Sequence, residues 1–382
     1  MTKGIVSILV RVSRTAKAFL PRALCALGGA RLLRWLSRRA FPGGVRALYC
    51  HDIAPAAGSG DTCVRAPGSL DAAEFERRLV HIQRHYGFIS ADHLRRRLQG
   101  ERIGGALPAA LTFDDGYQSF ITEVYPILLR HHVPAALFVT TGAVGTTGLW
   151  TDEVRALVEQ AGANGLTLRL SGRELALDSP ASLATAAEAL IEDLKRMPDV
   201  SRRSALHHLR SDAGRECRLH NRMLSWDELQ MLARDSLVTI GAHTVTHPVL
   251  SRTEDEQARH EIASSGRELQ ERLDIAVTAF GYPNGGREDF TATHRQMVAE
   301  AGFDMAFSTI PGVAMPGSDA YAIPRTCLAS EPWPRFVLRM AGMDDLLDLL
   351  RRSLRRRVVR RGASPAAADA GLHLQSAQTK ER

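Results

Sequence analysis

The chain has no Cys-x-x-Cys pair, and its five cysteines (Cys25, Cys50, Cys63, Cys217 and Cys327) are odd in number and scattered. This argues against a disulfide framework and fits a reducing compartment. The expected location is therefore cytoplasmic, with peripheral attachment at the inner face of a membrane rather than secretion. No run approaches the roughly 20 apolar residues of a spanning helix. The apolar N-terminal stretches 5–10 and 23–30 are interrupted by Arg and lack the clean core and cleavage site of a secretory signal. Acid is missing from residues 1–48, which hold ten Lys or Arg, and from 351–361, which hold seven Arg. The middle, 49–350, carries 30 basic and 40 acidic residues, so the overall +7 conceals an acidic body of net −10 between two basic ends. Such ends suit an anionic membrane surface, where each Lys or Arg contributes about 1 kcal/mol. They lack the interleaved aromatics of a single-strand binder, and no DNA-binding motif is present, so nucleic acid is not an expected partner.

What is present is a globular composition, 45% apolar and 24% charged. Apolar, β-branched or aromatic runs predict strands at 45–50, 108–113, 135–140, 237–242, 276–281 and 304–308. Between them, helical spacing predicts helices at 71–86, 91–98, 118–131, 226–234, 254–273 and 291–301. Strands alternating with helices indicate a parallel sheet or barrel, whose chemistry sits at the C-terminal strand ends. Residues 151–222 break the rhythm. They read as a helical insertion in one strand-to-helix connection, with helices near 181–194 and around His207-His208. The expected organisation is a basic amphipathic segment over 1–44, one domain over 45–345, and an Arg-rich segment with a disordered tail over 346–382.

Two motifs carry chemistry. Leu111-Thr-Phe-Asp-Asp-Gly116 ends an apolar run with adjacent carboxylates, and His243-Thr-Val-Thr-His247 follows another run with imidazoles four apart. Adjacent carboxylates repel unless a cation or proton relieves them, although Asp ahead of a helix also serves as an N-cap. Residues four apart on one helical turn face the same way, which suits two nitrogens at about 2.0–2.1 Å from one zinc ion. One carboxylate and two imidazoles make a three-ligand metal shell, and the second carboxylate is left as a base. A second pair, His81/His85, lies inside an amphipathic helix and reads as a solvated face. Phe280-Gly-Tyr-Pro-Asn-Gly-Gly286 is a strand and turn, either a plain Pro/Asn/Gly turn or a rigid one that presents a backbone N–H, with Tyr282 at the strand end, to a developing oxyanion. His51, at the end of the first strand, is a fourth chemical group at a strand end.

Together these residues resemble the polysaccharide deacetylase family, the NodB-homology or carbohydrate esterase family 4 group. Leu111–Gly116 is similar to its T-F-D-D-G motif and His243–His247 to its H-[ST]-x-x-H motif. Leu48–His51, Phe280–Gly285, Ser225–Leu229 and Ile323-Pro324-Arg325 resemble segments of an exopolysaccharide-processing branch. The resemblance implies an α/β fold, a distorted (β/α) barrel with the helical insertion, and metal-dependent hydrolysis of N-acetyl groups on a polysaccharide, oligosaccharide or lipid-linked sugar. It assigns Asp115, His243 and His247 to a divalent metal such as zinc, and Asp114 to the base. The usual late L-x-H motif is not found over 309–361, which leaves His51 as the donor to the leaving amine. No Arg precedes Pro283, and by position in the related branch Arg325 supplies the cation beside Asp114. Two alternatives share the fold: an O-acetyl esterase on carbohydrate and a non-catalytic glycan-binding protein.

Overall fold

The computed structural model describes residues 21–55, 69–170, 173–213 and 223–362. Cys63, Cys217, the apolar stretch 5–10 and the tail beyond 362 lie outside the described residues. Among these residues two compact units are present: one within 41–331, and a smaller one drawn from both chain ends, 21–40 with 332–362.

The larger unit is built on seven parallel strands: β1 Arg46–Cys50, β2 Ala109–Phe113, β3 Ala135–Val139, β4 Val238–Ala242, β5 Ala279–Gly281, β6 Met305–Phe307 and β7 Arg325–Cys327. Their order is β6-β5-β4-β3-β2-β1-β7. The sheet curls until its edges meet: Phe307 bridges Ile323, Ser308 N–H donates to Ile323 O at 2.9 Å, and Ile323 N–H donates to Ala306 O at 2.9 Å. The result is the distorted barrel that the family resemblance implied, and one of the two forms, parallel sheet or barrel, that the alternating pattern allowed. Every residue of β2 and β3 is buried, as parallel strands covered on both faces must be. The barrel core mixes small and large side chains, with Ala47, Ala110, Ala136 and Ala279 beside Phe138 and Phe307, whose rings lie 5.2 Å apart.

Six strands fall where the apolar runs predicted, each trimmed by one to three residues. The seventh, β7, has only Arg, Thr and Cys after Pro324, so no apolar run announces it. The helix predicted over 118–131 opens as a wide π turn over Phe120–Val124, because Pro126 has no N–H to continue a regular ladder. Helices flank the strands: α2 Ala72–His85, α3 Ala91–Leu98, α4 Tyr125–His131, α8 Trp226–Ala233, α9 Asp255–Leu273 and α10 Ala292–Glu300. The insertion comprises α5 Trp150–Ala163, a short ribbon over 169–174, α6 Pro180–Arg196 and α7 Asp199–Ala213. It folds around its own core of Val154, Leu157, Val158, Leu190, Ile191 and Leu206.

In the smaller unit α1 Gly29–Ala40 lies with α11 Trp333–Met340 and α12 Met343–Gly362. Ala30 and Ser37 form the buried side of α1, and Ser37 Oγ donates to Ala341 O at 2.8 Å. Among the described residues no helix is long and apolar enough to cross a membrane.

Candidate active site

Because all seven strands run the same way, the residues that follow them gather at one end of the barrel. His51 follows β1, Asp114 follows β2, His243 follows β4 and Tyr282 follows β5.

Asp114 meets Arg325 in a bidentate pair. Arg325 Nη1 donates to Oδ1 at 2.6 Å and Nη2 to Oδ2 at 2.8 Å. Two further donors of the guanidinium are engaged, Nε with Ser308 O at 2.8 Å and Nη1 with Thr112 Oγ1 at 2.9 Å. The group sits 4.9 Å from the Tyr49 ring and is fully buried. Burial pushes the Asp114 carboxyl up, but the charge of Arg325, with His243 assisting, overcomes it and holds the acid below its ordinary value. Neither carboxylate caps the following helix, since the cap residue there is Ser119, whose side chain makes no capping bond.

Asp115 turns the other way, on a left-handed backbone (φ 79°) continued by Gly116 (φ 91°). Its Oδ1 lies 3.3 Å from His243 Nε2 and 3.2 Å from His247 Nε2, and is buried without a well-formed hydrogen bond to either. One ligand atom from each of the three residues lies within 4.8 Å of the others. His243 Nδ1 is 2.7 Å from Gly281 O, and a carbonyl only accepts, so Nδ1 carries the proton. Its Nε2 then presents a lone pair to a carboxylate oxygen. Two acceptors face each other in a buried site, and a cation between them relieves the conflict; the donor set fits a divalent metal. Burial raises the Asp115 carboxyl, yet the two imidazoles outweigh it and hold it well below the ordinary range. Burial also pushes His247 down, which favours the neutral, ligating form. Gly281 has a steric role as well. A Cβ there would lie 3.0 Å from His243 Nδ1 and 2.9 Å from the Phe138 ring. The His81/His85 pair stays within α2, and no third ligand joins it among the described residues.

The histidine segment is not the helical turn that its spacing predicts. Residues 243–247 form a bent loop with Thr244 (φ 64°) and His247 (φ 57°) both left-handed. The rings converge, 5.1 Å apart, because the loop is held from outside. Glu261, buried on α9, accepts Val245 N–H and Thr246 N–H at 2.8 Å each and the Thr246 hydroxyl at 2.7 Å. Trp150 Nε1 donates to His247 O at 3.0 Å. Sequence reasoning missed Glu261, although a carboxylate on the otherwise apolar stripe of Ile262, Leu269 and Leu273 was a readable signal.

Tyr282 does not offer the oxyanion donor expected of it. Its N–H donates to Phe307 O at 3.0 Å, and its hydroxyl donates to Tyr321 O at 2.9 Å. The ring is buried and stacked on Phe290 at 4.0 Å. Two residues on, Asn284 (φ 60°) places a buried Nδ2 without a hydrogen-bond partner at the wall of the cavity above Asp115. That cavity, about 350 Å³, also exposes His51 and His247. His51 is exposed, its ring edge-on to Tyr49 at 5.5 Å. The insertion supplies part of the wall through Arg155, Glu188, Ile191 and Lys195. Arg155 pairs with Glu188 at 3.0 Å and Asp152 at 3.4 Å, and Asp152 accepts the Tyr117 hydroxyl at 2.9 Å. The insertion is thereby tied to the residue two after Asp115.

The polysaccharide deacetylase family model matches residues 104–170 and 193–306, and the skipped stretch falls inside the insertion. No curated protein matches the chain. Among solved structures, the deacetylase PplD of Streptococcus pyogenes in complex with acetate is 17% identical, covers 79% of this chain and 99% of its own, and superposes with a TM-score of 0.52. IcaB from Ammonifex degensii is 18% identical, covers 78% of this chain and 97% of its own, with a TM-score of 0.51. At these identities the likeness is one of fold.

Proposed function

The chain belongs to the polysaccharide deacetylase family, and from that premise we propose that it is a metal-dependent hydrolase that removes N-acetyl groups from a glycan. The observation that carries this reading is the buried convergence of Asp115, His243 and His247 beside an ionised Asp114. Asp115 Oδ1 and the two Nε2 atoms would hold a divalent ion, zinc by the nature of its nitrogen and oxygen donors. Such an ion supplies the positive charge that polarises an acetyl carbonyl and makes water more acidic.

The chain's own groups do the rest. Asp114 takes a proton from the attacking water as its oxygen bonds to the acetyl carbon. Arg325 fixes the orientation of that carboxylate through both oxygens. Asn284 Nδ2 donates to the carbonyl oxygen or to a neighbouring sugar hydroxyl. As the carbon–nitrogen bond breaks, His51 at the rim protonates the departing amine, and acetate and a free amino sugar leave.

Acetate release from a panel of N-acetylated oligosaccharides, with and without chelator, tests the reading. Turnover on N-acetyl substrates that chelator abolishes and zinc restores is expected. Turnover on O-acetyl esters alone, or turnover indifferent to chelator, would overturn it. A second expectation concerns the loop that carries the histidines. Glu261→Ala should weaken zinc binding about 10–100-fold, the usual effect of removing a group that orients ligands. Titration calorimetry with zinc reads this directly, and unchanged affinity would mean that the loop holds its own shape.

A further inference from the structure

We propose that the unit built from both chain ends carries a docking face for an anionic lipid bilayer. On α1, Leu32, Trp35 and Leu36 follow i, i+3, i+4 spacing and are 59%, 51% and 37% exposed. Leu27, just ahead of the helix, is 85% exposed. On α12, Leu347, Leu350 and Leu354 follow i, i+3, i+7 spacing and are 42%, 60% and 61% exposed. The other side of α1 is already packed through Ala30 and Ser37, so these leucines are not the unfinished core of the helix pair. Nine of the thirteen exposed large hydrophobic residues described lie on this small unit, a concentration rather than an even scatter.

The charge carried in the sequence of the two chain ends selects the partner. Residues 1–40 hold nine Lys or Arg and no acid, and seven Arg follow at 351–361. The 41–331 unit, with 29 basic and 37 acidic residues, has no such complementarity to an anionic surface. Arg31, Arg38 and Arg39 are exposed among the α1 leucines, and the Arg39 guanidinium stacks 4.4 Å from the Trp35 ring. Leucine and tryptophan for the acyl boundary, with arginine for the headgroups, is the composition of a helix lying in a bilayer interface. Nucleic acid has no use for the leucines, and an apolar protein groove has no use for the arginines.

The full chain is sedimented with vesicles of equal parts phosphatidylglycerol and phosphatidylcholine, and separately with phosphatidylcholine alone. Binding to the anionic vesicles is expected, with release at 1 M salt, where screening acts over about 3 Å. The Leu32→Ser/Leu350→Ser variant should bind about tenfold more weakly or worse. Arg31→Gln/Arg351→Gln should also bind more weakly. All should keep the parent's circular dichroism and its acetate release from a soluble glycan, so a failure here is separable from a failure of the deacetylase reading. The proposal is overturned if the parent stays in the supernatant, or if the leucine variant binds as tightly as the parent. It is equally overturned if duplex DNA competes as well as lipid, or if the leucine variant splits a dimer while neither protein binds vesicles.

Discussion

Replacing Asp114 with Asn is expected to lower acetate release about 10²–10⁴-fold, the contribution of one positioned proton acceptor, while zinc remains bound. Asn has nearly the same shape but cannot take a proton. The three ligand atoms belong to other side chains, so metal content should stay near that of the parent. The change also leaves the buried Arg325 charge without its counterion. Melting temperature must therefore be measured beside activity, and activity compared below the variant's transition. Retention of more than half the parent's turnover would remove Asp114 from the reaction. Loss of both turnover and metal would mean that Asp114 shapes the metal shell rather than acting as base.

Arg325→Gln should be the more damaging change to the fold. Removing one partner of a buried ion pair costs about 3–5 kcal/mol, and here both partners are almost wholly buried. The pH dependence should also reverse in sign. In the parent, the Asp114 carboxyl lies below its ordinary value, so it contributes stability above the unfolded pKa of about 3.9 and loses it as pH falls through the folded value. Without the guanidinium, burial, the largest influence on this group, is opposed only by the weaker pull of His243 and His51 and should push the carboxyl above its unfolded value. The folded variant then holds its proton more tightly than the unfolded chain, and stability should fall as pH rises from about 4. The acid limb of the activity profile should move upward for the same reason. Denaturant unfolding of parent and variant between acid and neutral pH checks this, and parallel stability curves would refute it.

The legible parts of this molecule were those that local pattern dictates. Apolar runs marked six strands because a covered parallel strand must be apolar on both faces, and chemical residue types just beyond them marked Asp114, Asp115, His243 and His51. Long-range dependence hid the rest. β7 is three residues with no run, and it becomes a strand only by pairing with β1. The left-handed turns at Thr244 and His247 exist because Glu261, fourteen or more positions away, binds the loop's amides. Tyr282 N–H was assigned from its place at a strand end, but the closing barrel claims it for Phe307. Nor could spacing reveal that α1 and α11–α12, some 300 residues apart, form one unit.

The roots of the insertion are stitched together. Gly145 N–H donates to Leu224 O at 2.9 Å, Met223 N–H donates to Thr146 O at 3.1 Å, and Leu149 and Met223 share a small apolar cluster with Tyr117 and Ala143. Chain leaves and re-enters the barrel through a closed neck, and loop-closure entropy grows only slowly with what lies beyond such a neck. Length can therefore be added beyond the neck at small entropic cost. Helices α6 and α7 share their core with α5, whose Trp150 holds the His247 carbonyl, so the cavity wall and the histidine loop rest on the same apolar contacts.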